Sequence, residues 1–479
     1  MTGITSYGAY IPRYRMSRKT ISSAIGWFNS VNVPGERAVA NYDEDSLTMA
    51  VAASMDCLNE LSREILEGLY FATVTPPYKE RQDAAIIATA LDLRSDLRAA
   101  DFTDSTKAGT TALLSACDAI KAGSTKSILI CASDCRAGKP GSFEEANYGD
   151  GAAAFLLGDS GVVASLEGSY SVSYDFMDRW KAEDDKFVHA AEDRWIRDEG
   201  YTKFIPQAIS GLLKKYELSV KDFAKVIYPC LYPREHAAIG RSLGLEPNQI
   251  QQELLTTIGD TGTAHPLMML VAVLEEAKPG DKILVASYGN GSDALFFEVT
   301  GEIEKVSERR GIKKHLASKQ ELTSYEKHLS FRNVLHVEKG IRGETGPSWV
   351  TLMWRDRRTI LALYGSRCKR CGTPQYPDQR VCVNPKCEAI DEMEDYCFSD
   401  KKGHLFSYTG DNLAFSVSPP EMYGVIDFEG GGRFIFDITD SELESLKVDM
   451  PVEMTFRRRY TDEPHGILGY FWKATPIRA

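Results

Sequence analysis

Four cysteines in the last quarter of the chain are spaced as ligands for one metal ion. Cys368, Cys371, Cys382 and Cys387 follow the pattern C-x2-C-x10-C-x4-C. Two cysteine pairs on tight turns can place four thiolates around one Zn2+, and the glycine and prolines within this segment favour such turns. Four thiolates complete the tetrahedral coordination of zinc and leave no position open for a substrate. The spacing therefore predicts a structural zinc ion.

Two polar turns that open apolar helices are the second candidate for chemistry. One turn lies in ADFTDSTKAGTTALL (Ala100–Leu114) and the other in IGDTGTAHP (Ile258–Pro266). The first N–H groups of a helix have no partner within the helix, so they can bind an anion or stabilise an oxyanion. If both helix starts face one pocket, they would stabilise an enolate or oxyanion made from a thioester.

Several side chains near these turns could move protons. His265 is the best single candidate for a general acid or base, because it stands where the second helix begins. The alternative is a helix-start histidine whose ring binds a carbonyl. Asp260 could orient His265 or cap the helix. Tyr232 and Cys230 end the predicted strand and could face the pocket or serve in packing.

Composition excludes several classes of protein. The 479 residues include 56 Lys and Arg against 68 Asp and Glu, a net charge of −12. This balance argues against a protein that coats nucleic acid or binds membranes through basic residues. No apolar run approaches the roughly 18 residues of a membrane span, and the N-terminus lacks the pattern of a secretory signal. Six further cysteines are scattered, which is typical of a cytoplasmic protein with reduced thiols.

The elements that position these residues indicate an α/β layer fold. Apolar, β-rich runs alternate with helical segments up to about residue 300, and such runs are typical of buried strands. The runs are KSILICAS (Lys126–Ser133), GAAAFLLG (Gly151–Gly158), KVIYPCLY (Lys225–Tyr232) and DKILVASY (Asp281–Tyr288).

An internal repeat accompanies this alternation. The helical run Thr110–Gly123 precedes the strand KSILICAS, and the helical run His265–Gly280 precedes the strand KILVAS. Both copies pass from a polar turn to an apolar helix, a glycine and a buried strand. The repeat predicts a duplicated fold with two similar halves, although helix–glycine–strand units are common in α/β proteins.

The amino-acid composition changes after Gly301. Residues 301–340 are highly charged and predict a solvated helix or connector. After the cysteines, the last eighty residues contain short alternating strands with turn signals, which predict a small β-barrel. Such barrels can bind nucleic acid, but the net charge does not favour this. The basic run Arg457–Arg459 is interpreted as a solvated strand end or a contact for a ligand phosphate.

Residues 1 to about 335 resemble the archaeal and bacterial type of 3-hydroxy-3-methylglutaryl-CoA synthase, a member of the thiolase superfamily. The matching stretches are GITSYGAYIPRYRM, NYDEDSLTMAV, AADFTDSTKAGTTAL, GDGAAAFLLGD, KPGDKILVASYGNGSDA and YEKHLSFRNVL. From about Ile341 the chain resembles zinc-ribbon plus OB-fold proteins that associate with thiolase-like enzymes. The resemblance implies a five-layered α/β/α/β/α fold, a homodimer and a tunnel for the pantetheine arm of coenzyme A.

This resemblance and the change in composition predict four domains. Residues 1–160 form the N-terminal half of the thiolase-like fold, and residues 161–340 form its C-terminal half with the connector. Residues 341–399 form a zinc ribbon with a helical lead-in. Residues 400–479 form an OB-fold barrel.

Most of the family's catalytic residues are replaced here. The resemblance places Thr106 where the family has its nucleophilic cysteine, Val74 at the position of the general-base glutamate and Pro229 at the position of the histidine. Asp260 occupies the position of the family's asparagine. A threonine hydroxyl without an adjacent base is a poor replacement for a thiolate, because its pKa lies far above neutrality.

Ligand contacts are expected around the same pocket. The turn SYGNGSDALFF, with Gly289 and Gly291, lets the backbone approach a ligand closely, and Lys107 follows Thr106. Arg13 and Arg15 could pair with the phosphates of coenzyme A or form a solvated face.

The favoured function is an enzyme that makes or breaks a carbon–carbon bond beside a CoA thioester by aldol or retro-aldol chemistry, without a cysteine nucleophile. One alternative is a non-catalytic CoA-binding or scaffold subunit that partners a true thiolase. Another is a conventional hydroxymethylglutaryl-CoA synthase. The expected partners are an acyl-CoA substrate, a second copy of the chain and a thiolase-like protein, but neither nucleic acid nor a membrane.

Overall fold

A computed structural model of the protein describes residues 1–28, 34–59, 61–338 and 348–478. The chain divides into two compact units. The first comprises Met1–Ala40, Asp45–Ala85 and Arg94–Tyr325, and the second comprises Asn41–Glu44, Ile86–Leu93 and Glu326–Ala479. The predicted boundary between residues 340 and 341 lies outside the described residues. The limits of the four predicted domains stay predictions.

A mixed nine-stranded sheet organises the first unit. Its strand order is β11-β12-β13-β8-β1-β7-β6-β4-β5, with two short sheets beside it. The strands are β1 (Gly3–Tyr10), β2 (Tyr14–Ser17), β3 (Glu36–Val39), β4 (Gly68–Ala72), β5 (Arg98–Phe102), β6 (Ser127–Asp134), β7 (Gly151–Gly158), β8 (Ala164–Ser173), β9 (Arg179–Trp180), β10 (His189–Ala190), β11 (Lys225–Ile227), β12 (Lys282–Ala286), β13 (Gly291–Val299) and β14 (Gln320–Glu321).

Helices lie between these strands in the chain, and two of them, Asp83–Ala90 and Tyr325–Phe331, continue into the second unit. The helices are α1 (Arg18–Ile25), α2 (Ser46–Cys57), α3 (Asp83–Ala90), α4 (Ala108–Lys121), α5 (Phe143–Asn147), α6 (Asp193–Trp195), α7 (Thr202–Lys215), α8 (Pro233–Leu243), α9 (His265–Leu274), α10 (Gly311–Ala317) and α11 (Tyr325–Phe331). A π-helical turn, Ile196–Tyr201, joins α6 to α7. Short 3-10 turns occupy Arg63–Ile65, Val220–Asp222, Leu254–Thr256, Gly262–Ala264 and Gly301–Lys305.

The predicted duplication is visible in the order of the elements. Helix α4 precedes β6, which pairs antiparallel with β7, and helix α9 precedes β12, which pairs antiparallel with β13. Nine of the ten residues of α9 are buried. Because α9 is apolar on all sides, it can lie only in the interior of the unit, where it packs against β7 and β1.

Two predictions for the first unit need correction. The predicted strand Lys225–Tyr232 ends at Ile227. Pro229 cannot donate to a sheet ladder, and Pro233 already begins α8, so residues 228–232 form a loop. The segment after Gly301 is not simply a solvated connector, because α10 buries Ile312 and β14 pairs parallel with β2.

The second unit contains two further sheets. A three-stranded sheet with order β16-β15-β17 consists of β15 (Tyr364–Cys368), β16 (Pro374–Gln375) and β17 (Met393–Cys397). A five-stranded sheet with order β20-β19-β18-β21-β22 consists of β18 (Gly403–Asp411), β19 (Glu421–Phe428), β20 (Arg433–Asp437), β21 (Pro451–Asp462) and β22 (Ile467–Pro476). Helices α12 (Val350–Arg355) and α13 (Arg357–Leu361) precede β15. Short 3-10 turns occupy Leu443–Ser445 and Glu463–His465.

The last five strands close as a barrel. A bridge between Ile438 and Ala474 joins the end of β20 to β22, the two edges of the sheet. The hairpin between β19 and β20 turns through Gly430, Gly431 and Gly432, which all have positive φ angles. Glycine tolerates this conformation without steric cost.

The interpretation of the basic run as a solvated strand end is wrong for Arg457, whereas Arg459 is exposed. Arg457 is 2% exposed, pairs with Asp440 at 2.7 Å and contacts Glu44. Lys473 pairs with Asp43 at 3.1 Å in the same cluster. Buried charges need partners of opposite sign, so the role of Arg457 is to neutralise these carboxylates, not to bind a phosphate. Within the described residues, no helix is both long and apolar enough to cross a membrane.

Candidate functional site

A cavity of about 620 Å3 lies within the first unit. Its walls come from segments that follow strands or open helices in both copies of the repeat. These segments are 74–76, 103–106, 135–137, 177–181, 229–231 and 288–290, together with single residues that include Tyr201, Asp260 and Gly262. Thr106, Val74, Pro229 and Asp260 therefore all line one cavity, although they are far apart in the sequence.

Thr106 is held by the opposite wall of the cavity. Its hydroxyl donates to the main-chain carbonyl of Tyr288 at 2.7 Å, and the hydroxyl of Ser105 donates to the carbonyl of Gly289 at 2.9 Å. Gly289 has φ of +157°, and a Cβ atom there would come within 2.5 Å of Thr106 Oγ1. Glycine is therefore required for the close approach of these two turns.

The carboxylate of Asp134 links two turns near the cavity through hydrogen bonds. Its Oδ1 accepts from the N–H of Val74 and from the hydroxyls of Thr73 and Thr75, at 2.8–3.0 Å. Its Oδ2 accepts from the N–H and hydroxyl of Thr263, at 2.8 and 2.9 Å. Asp134 is fully buried, and burial raises its pKa. The carboxylate holds the turn after β4 against the turn before α9.

The second helix start is not a free anion site. Its N–H groups already donate to carboxylates: Gly262 donates to Asp260 Oδ1 at 3.1 Å, and Thr263 donates to Asp134. The expectation that both helix starts would offer N–H groups to an oxyanion is therefore wrong for this turn. Asp260 holds the N–H of Gly262 in the 3-10 turn before α9, whereas α9 itself has no side-chain cap.

Asp260 also pairs with Arg136 in the wall of the cavity. Arg136 Nη1 lies 3.1 Å from Asp260 Oδ2, and Nη2 donates to the hydroxyl of Tyr148 at 2.8 Å. The guanidinium group lies over the ring of Tyr148, with 3.9 Å to the ring centroid. Arg136 lies two residues after the end of the strand β6, and no sequence motif singled it out. The end of a buried strand was the available signal.

His265 is buried and is not among the residues that line this cavity. It is 1% exposed, its Nδ1 lies 3.3 Å from the hydroxyl of Thr261, and burial lowers its pKa. These surroundings favour a packed helix-start histidine over an acid or base that touches substrate.

Tyr232 and Cys230 lie in the loop after β11. The hydroxyl of Tyr232 donates to Asp193 at 2.9 Å and accepts from Arg179 at 3.2 Å, and Tyr232 does not line the cavity. Cys230 does line it, at 1% exposure. Its thiol donates to the carbonyl of Tyr232 at 3.4 Å, and burial raises its pKa. Cys230 is therefore a protonated thiol.

The residues predicted to contact the ligand do not all line the cavity. Gly289 lines the cavity, whereas Lys107 pairs with the buried Asp293 at 3.0 Å. Gly291 is buried at the start of β13. The Arg15 guanidinium donates to the carbonyl of Tyr14 at 3.0 Å. Neither Arg13 nor Arg15 is among the cavity-lining residues, and Arg15 is 1% exposed.

The cavity lining also includes polar residues that no sequence pattern indicated, among them Tyr201, Arg179 and Cys135. Tyr201 is 5% exposed, and its ring stacks on Tyr288 with 3.9 Å between centroids. No histidine of the described chain lines the cavity. Neither cavity cysteine therefore has an imidazole beside it in the cavity wall.

A buried carboxyl and imidazole lie behind Cys230. Glu253 Oε1 accepts from the N–H of Cys230 at 3.3 Å and lies 3.4 Å from His236 Nε2. Burial raises the pKa of Glu253 to about 8 and lowers that of His236 to about 4. At neutral pH both groups are therefore mainly uncharged.

The four predicted metal ligands come together in the second unit. The sulfur atoms of Cys368, Cys371, Cys382 and Cys387 all lie within 4.8 Å of one another. Two pairs are 3.7 and 3.5 Å apart. Thiolates at about 2.3 Å from a tetrahedral zinc lie about 3.8 Å apart, so the arrangement fits one Zn2+. Bound there, zinc would fix the turns of the ribbon.

Comparisons with known proteins agree with this architecture. Residues 356–394 match a family model described as the rubredoxin-like zinc ribbon domain of ChsH2, and residues 398–457 match the C-terminal OB-fold domain of ChsH2. Among solved structures, an HMG-CoA synthase complexed with CoA superimposes with a TM-score of 0.63 at 18% identity, over 73% of this chain and 94% of the other. A 3-oxoacyl-[acyl-carrier-protein] synthase III from Aquifex aeolicus superimposes with a TM-score of 0.57 at 20% identity, over 62% and 100%. These likenesses show the thiolase-like α/β fold.

Curated relatives are closer in sequence. The hydroxymethylglutaryl-CoA synthase of Methanopyrus kandleri is 34% identical over 318 residues, which cover 64% of this chain and 90% of the relative. That of Caldivirga maquilingensis is 31% identical over 349 residues, which cover 71% and 99%. The chain therefore belongs to the hydroxymethylglutaryl-CoA synthase family of the thiolase superfamily, with a zinc ribbon and an OB-fold at its C-terminal end.

Proposed function

We propose that this enzyme makes or breaks a carbon–carbon bond beside a CoA thioester without forming an acyl-enzyme at residue 106. The observation that carries the proposal is the set of residues that line one cavity. Thr106, Val74 and Pro229 stand at the positions that the family resemblance gives to the cysteine, the glutamate and the histidine, and all three line that cavity. None of them can act as a thiolate, a carboxylate base or an imidazole.

The hydrogen bond of Thr106 supports the same conclusion. A nucleophilic hydroxyl needs a base that takes its proton. The hydroxyl of Thr106 instead donates to the carbonyl of Tyr288, and a carbonyl oxygen is not a base of useful strength. Thr106 thus holds the turn in place.

An aldol or retro-aldol step needs no acyl-enzyme. In the cleavage direction, a base takes the proton of the β-hydroxyl, and the electron pair of the Cα–Cβ bond moves onto the thioester as an enolate. The β-carbon becomes a carbonyl, and the enolate then takes a proton at Cα. The cavity needs only an acid/base pair and polar groups that stabilise the enolate. Asp260 and Arg136 supply a carboxylate and a fixed cation there.

A conventional acyl-transfer reaction is the second candidate, because Cys135 and Cys230 line the cavity. The thiol of Cys230 is kept protonated by burial, so Cys135 is the sulfur to test. An acyl group found on Cys135 during turnover would favour this reading.

The assembly and location are part of the proposal. The family resemblance supports a homodimer, and the fused ribbon and OB-fold resemble proteins that associate with thiolase-like enzymes, so a thiolase-like partner is a further expectation. No disulfide joins any of the ten cysteines, which supports a cytoplasmic location. Co-purification with a cysteine-bearing thiolase, together with no activity of this chain alone, would support the scaffold alternative instead.

The proposal is tested by incubating the purified protein with a series of 3-hydroxyacyl-CoA thioesters and measuring the release of a shorter acyl-CoA and a carbonyl product. Asp260→Asn should lower turnover by about 100-fold, because the carboxylate is lost from the cavity. Asp281→Asn is the matched control, since Asp281 Oδ2 accepts from the N–H of Lys278 in a surface turn. No cleavage or condensation with any thioester of the series would contradict the proposal.

A further inference from the structure

Tyr201 has the surroundings of a proton-transferring group. It lines the cavity and is 5% exposed, yet its hydroxyl makes no hydrogen bond within the described part of the chain. The hydroxyl oxygen of Tyr201 is not among the fully buried polar atoms that lack a partner. It is therefore partly accessible from the cavity. A buried phenol normally finds a partner inside the protein. Tyr201 instead leaves its hydroxyl available to a ligand.

The local backbone is built to place this residue. Tyr201 is the last residue of the π-helical turn Ile196–Tyr201, and π-helical turns occur frequently at functional sites. Gly200 lets the turn approach Tyr288, because a Cβ atom at residue 200 would collide with the Tyr288 hydroxyl. The rings of Tyr201 and Tyr288 are stacked, and Tyr232 meets Tyr201 edge-on with 5.8 Å between centroids.

This stack connects Tyr201 to the position of the family nucleophile. Tyr288 stacks on Tyr201 through its ring and accepts the hydroxyl of Thr106 through its carbonyl. Tyr201 and Thr106 thus flank one residue and line the same cavity. A thioester bound in this cavity would therefore lie between walls to which both Thr106 and Tyr201 contribute.

Burial and nearby charges keep Tyr201 protonated at rest. Burial raises the pKa of Tyr201, so the resting group is a neutral phenol, which can donate. The positive charge of Arg179 lowers this pKa and stabilises the phenolate that donation leaves, whereas the carboxylates of Asp260 and Asp178 raise it. Arg179 is held in place by the hydroxyl of Tyr232 at 3.2 Å.

We infer that Tyr201 is the catalytic acid/base that acts on the β-oxygen of the substrate, an inference that rests on the proposed aldol chemistry. In the condensation direction, Asp260 takes a proton from Cα of the donor thioester, and the Cα–Cβ bond forms. The acceptor carbonyl oxygen receives the electron pair and takes the phenolic proton. Transfer of a proton from Asp260 to the phenolate restores the resting state, and cleavage is the reverse.

The experiment separates the two proton transfers. Exchange of the Cα protons of an acyl-CoA in D2O needs the base at Cα but not the acid at the β-oxygen. For Tyr201→Phe we expect cleavage and condensation to fall by 100-fold or more, while acyl-CoA affinity and Cα exchange stay within about threefold of the parent values. The matched control is Tyr174→Phe, whose hydroxyl donates to Gln207 at the surface and whose ring also belongs to this aromatic cluster.

A second variant keeps the test independent of folding. Fluorotyrosine at position 201 preserves the ring and the hydroxyl, so it should keep the turnover that Tyr201→Phe loses. Turnover of Tyr201→Phe above half of the parent value, a fluorotyrosine enzyme as inactive as Tyr201→Phe, or equal losses of Cα exchange and cleavage would each overturn the assignment. Absence of any carbon–carbon chemistry in the parent enzyme would instead overturn the proposed function, and with it this role of Tyr201.

Discussion

The hydroxyl of Thr106 donates a hydrogen bond of 2.7 Å to the main-chain carbonyl of Tyr288. The two residues come from the two copies of the repeat, so the bond joins the halves of the fold at the cavity wall. Thr106 stands where the family resemblance places a nucleophilic cysteine. Its contact is therefore that of a positioning residue.

Replacing Thr106 by valine tests this role. Thr106→Val removes the hydroxyl and keeps the shape, so we expect turnover to stay within about tenfold of the parent value and the melting temperature to fall by a few degrees. The matched control is Thr5→Val, since Thr5 Oγ1 donates to the carbonyl of Leu156 at 3.1 Å between two strands. A loss of more than about 1,000-fold in turnover with normal folding would mean that the hydroxyl takes part in the reaction.

Asp134 should be the most sensitive carboxylate for stability in the cavity region. Asp134→Asn replaces one acceptor oxygen with a donor, although five donors converge on the carboxylate. We expect a loss of about 3 kcal/mol in the free energy of unfolding, read by chemical denaturation. Asp159→Asn, on an exposed turn, is the control and should change it by less than about 0.5 kcal/mol. Equal stability of the two variants would show that Asp134 does not hold the two turns together.

The raised pKa of Glu253 predicts that the stability of the protein depends on pH. The pKa of Glu253 is raised to about 8 by burial, from an ordinary value of 4.5, so the native state holds this proton more tightly than the unfolded chain. Its contribution to stability is therefore complete below about pH 4.5 and is lost as the pH rises through 8. The melting temperature of the parent protein should fall relative to Glu253→Gln between pH 5 and about pH 8.5.

His236 does not obscure this measurement. Its pKa is lowered to about 4, so its contribution is present above its ordinary value of 6.5 and is lost as the pH falls through 4. Both proteins retain His236, so the comparison between them isolates Glu253. Glu246→Gln, an exposed residue of the same segment, should follow the parent curve. Parallel curves for the parent and Glu253→Gln would contradict the raised pKa.

The cysteine cluster predicts one zinc ion per chain, measured by elemental analysis of the purified protein. Cys382→Ser should abolish stoichiometric zinc and lower the unfolding temperature of the ribbon, because three thiolates bind zinc far more weakly than four. Cys397→Ser is the matched control, since Cys397 lies in the same small sheet but outside the cluster. Full zinc content in Cys382→Ser would rule out the four-cysteine site.

Local patterns in the sequence predicted the zinc ligands, the barrel strands and the repeated helix–strand units. The cysteine spacing is a local property, and the alternation of strands is a direct consequence of one buried face. The family resemblance likewise selected Thr106, Val74 and Pro229, which line a common cavity.

Properties that depend on tertiary packing were harder to predict. His265 lies at the start of a helix that is apolar on every side, a pattern of complete burial that argues against an exposed ring. Tyr201 belongs to a segment with no motif, and its place in the cavity depends on the close approach of Gly200 to Tyr288. Arg457 appeared solvated because its partners Asp43 and Glu44 are about 400 residues away in the sequence.

The most direct test of the non-covalent account is the intact mass of the protein during turnover. The enzyme would be mixed with a 3-hydroxyacyl-CoA that it cleaves, quenched with acid within one turnover and analysed by mass spectrometry. The account predicts formation of the shorter acyl-CoA and the carbonyl product while the protein keeps its unmodified mass. A transient gain of one acyl group, on Thr106, Cys135 or Cys230, at the rate of product formation would contradict it.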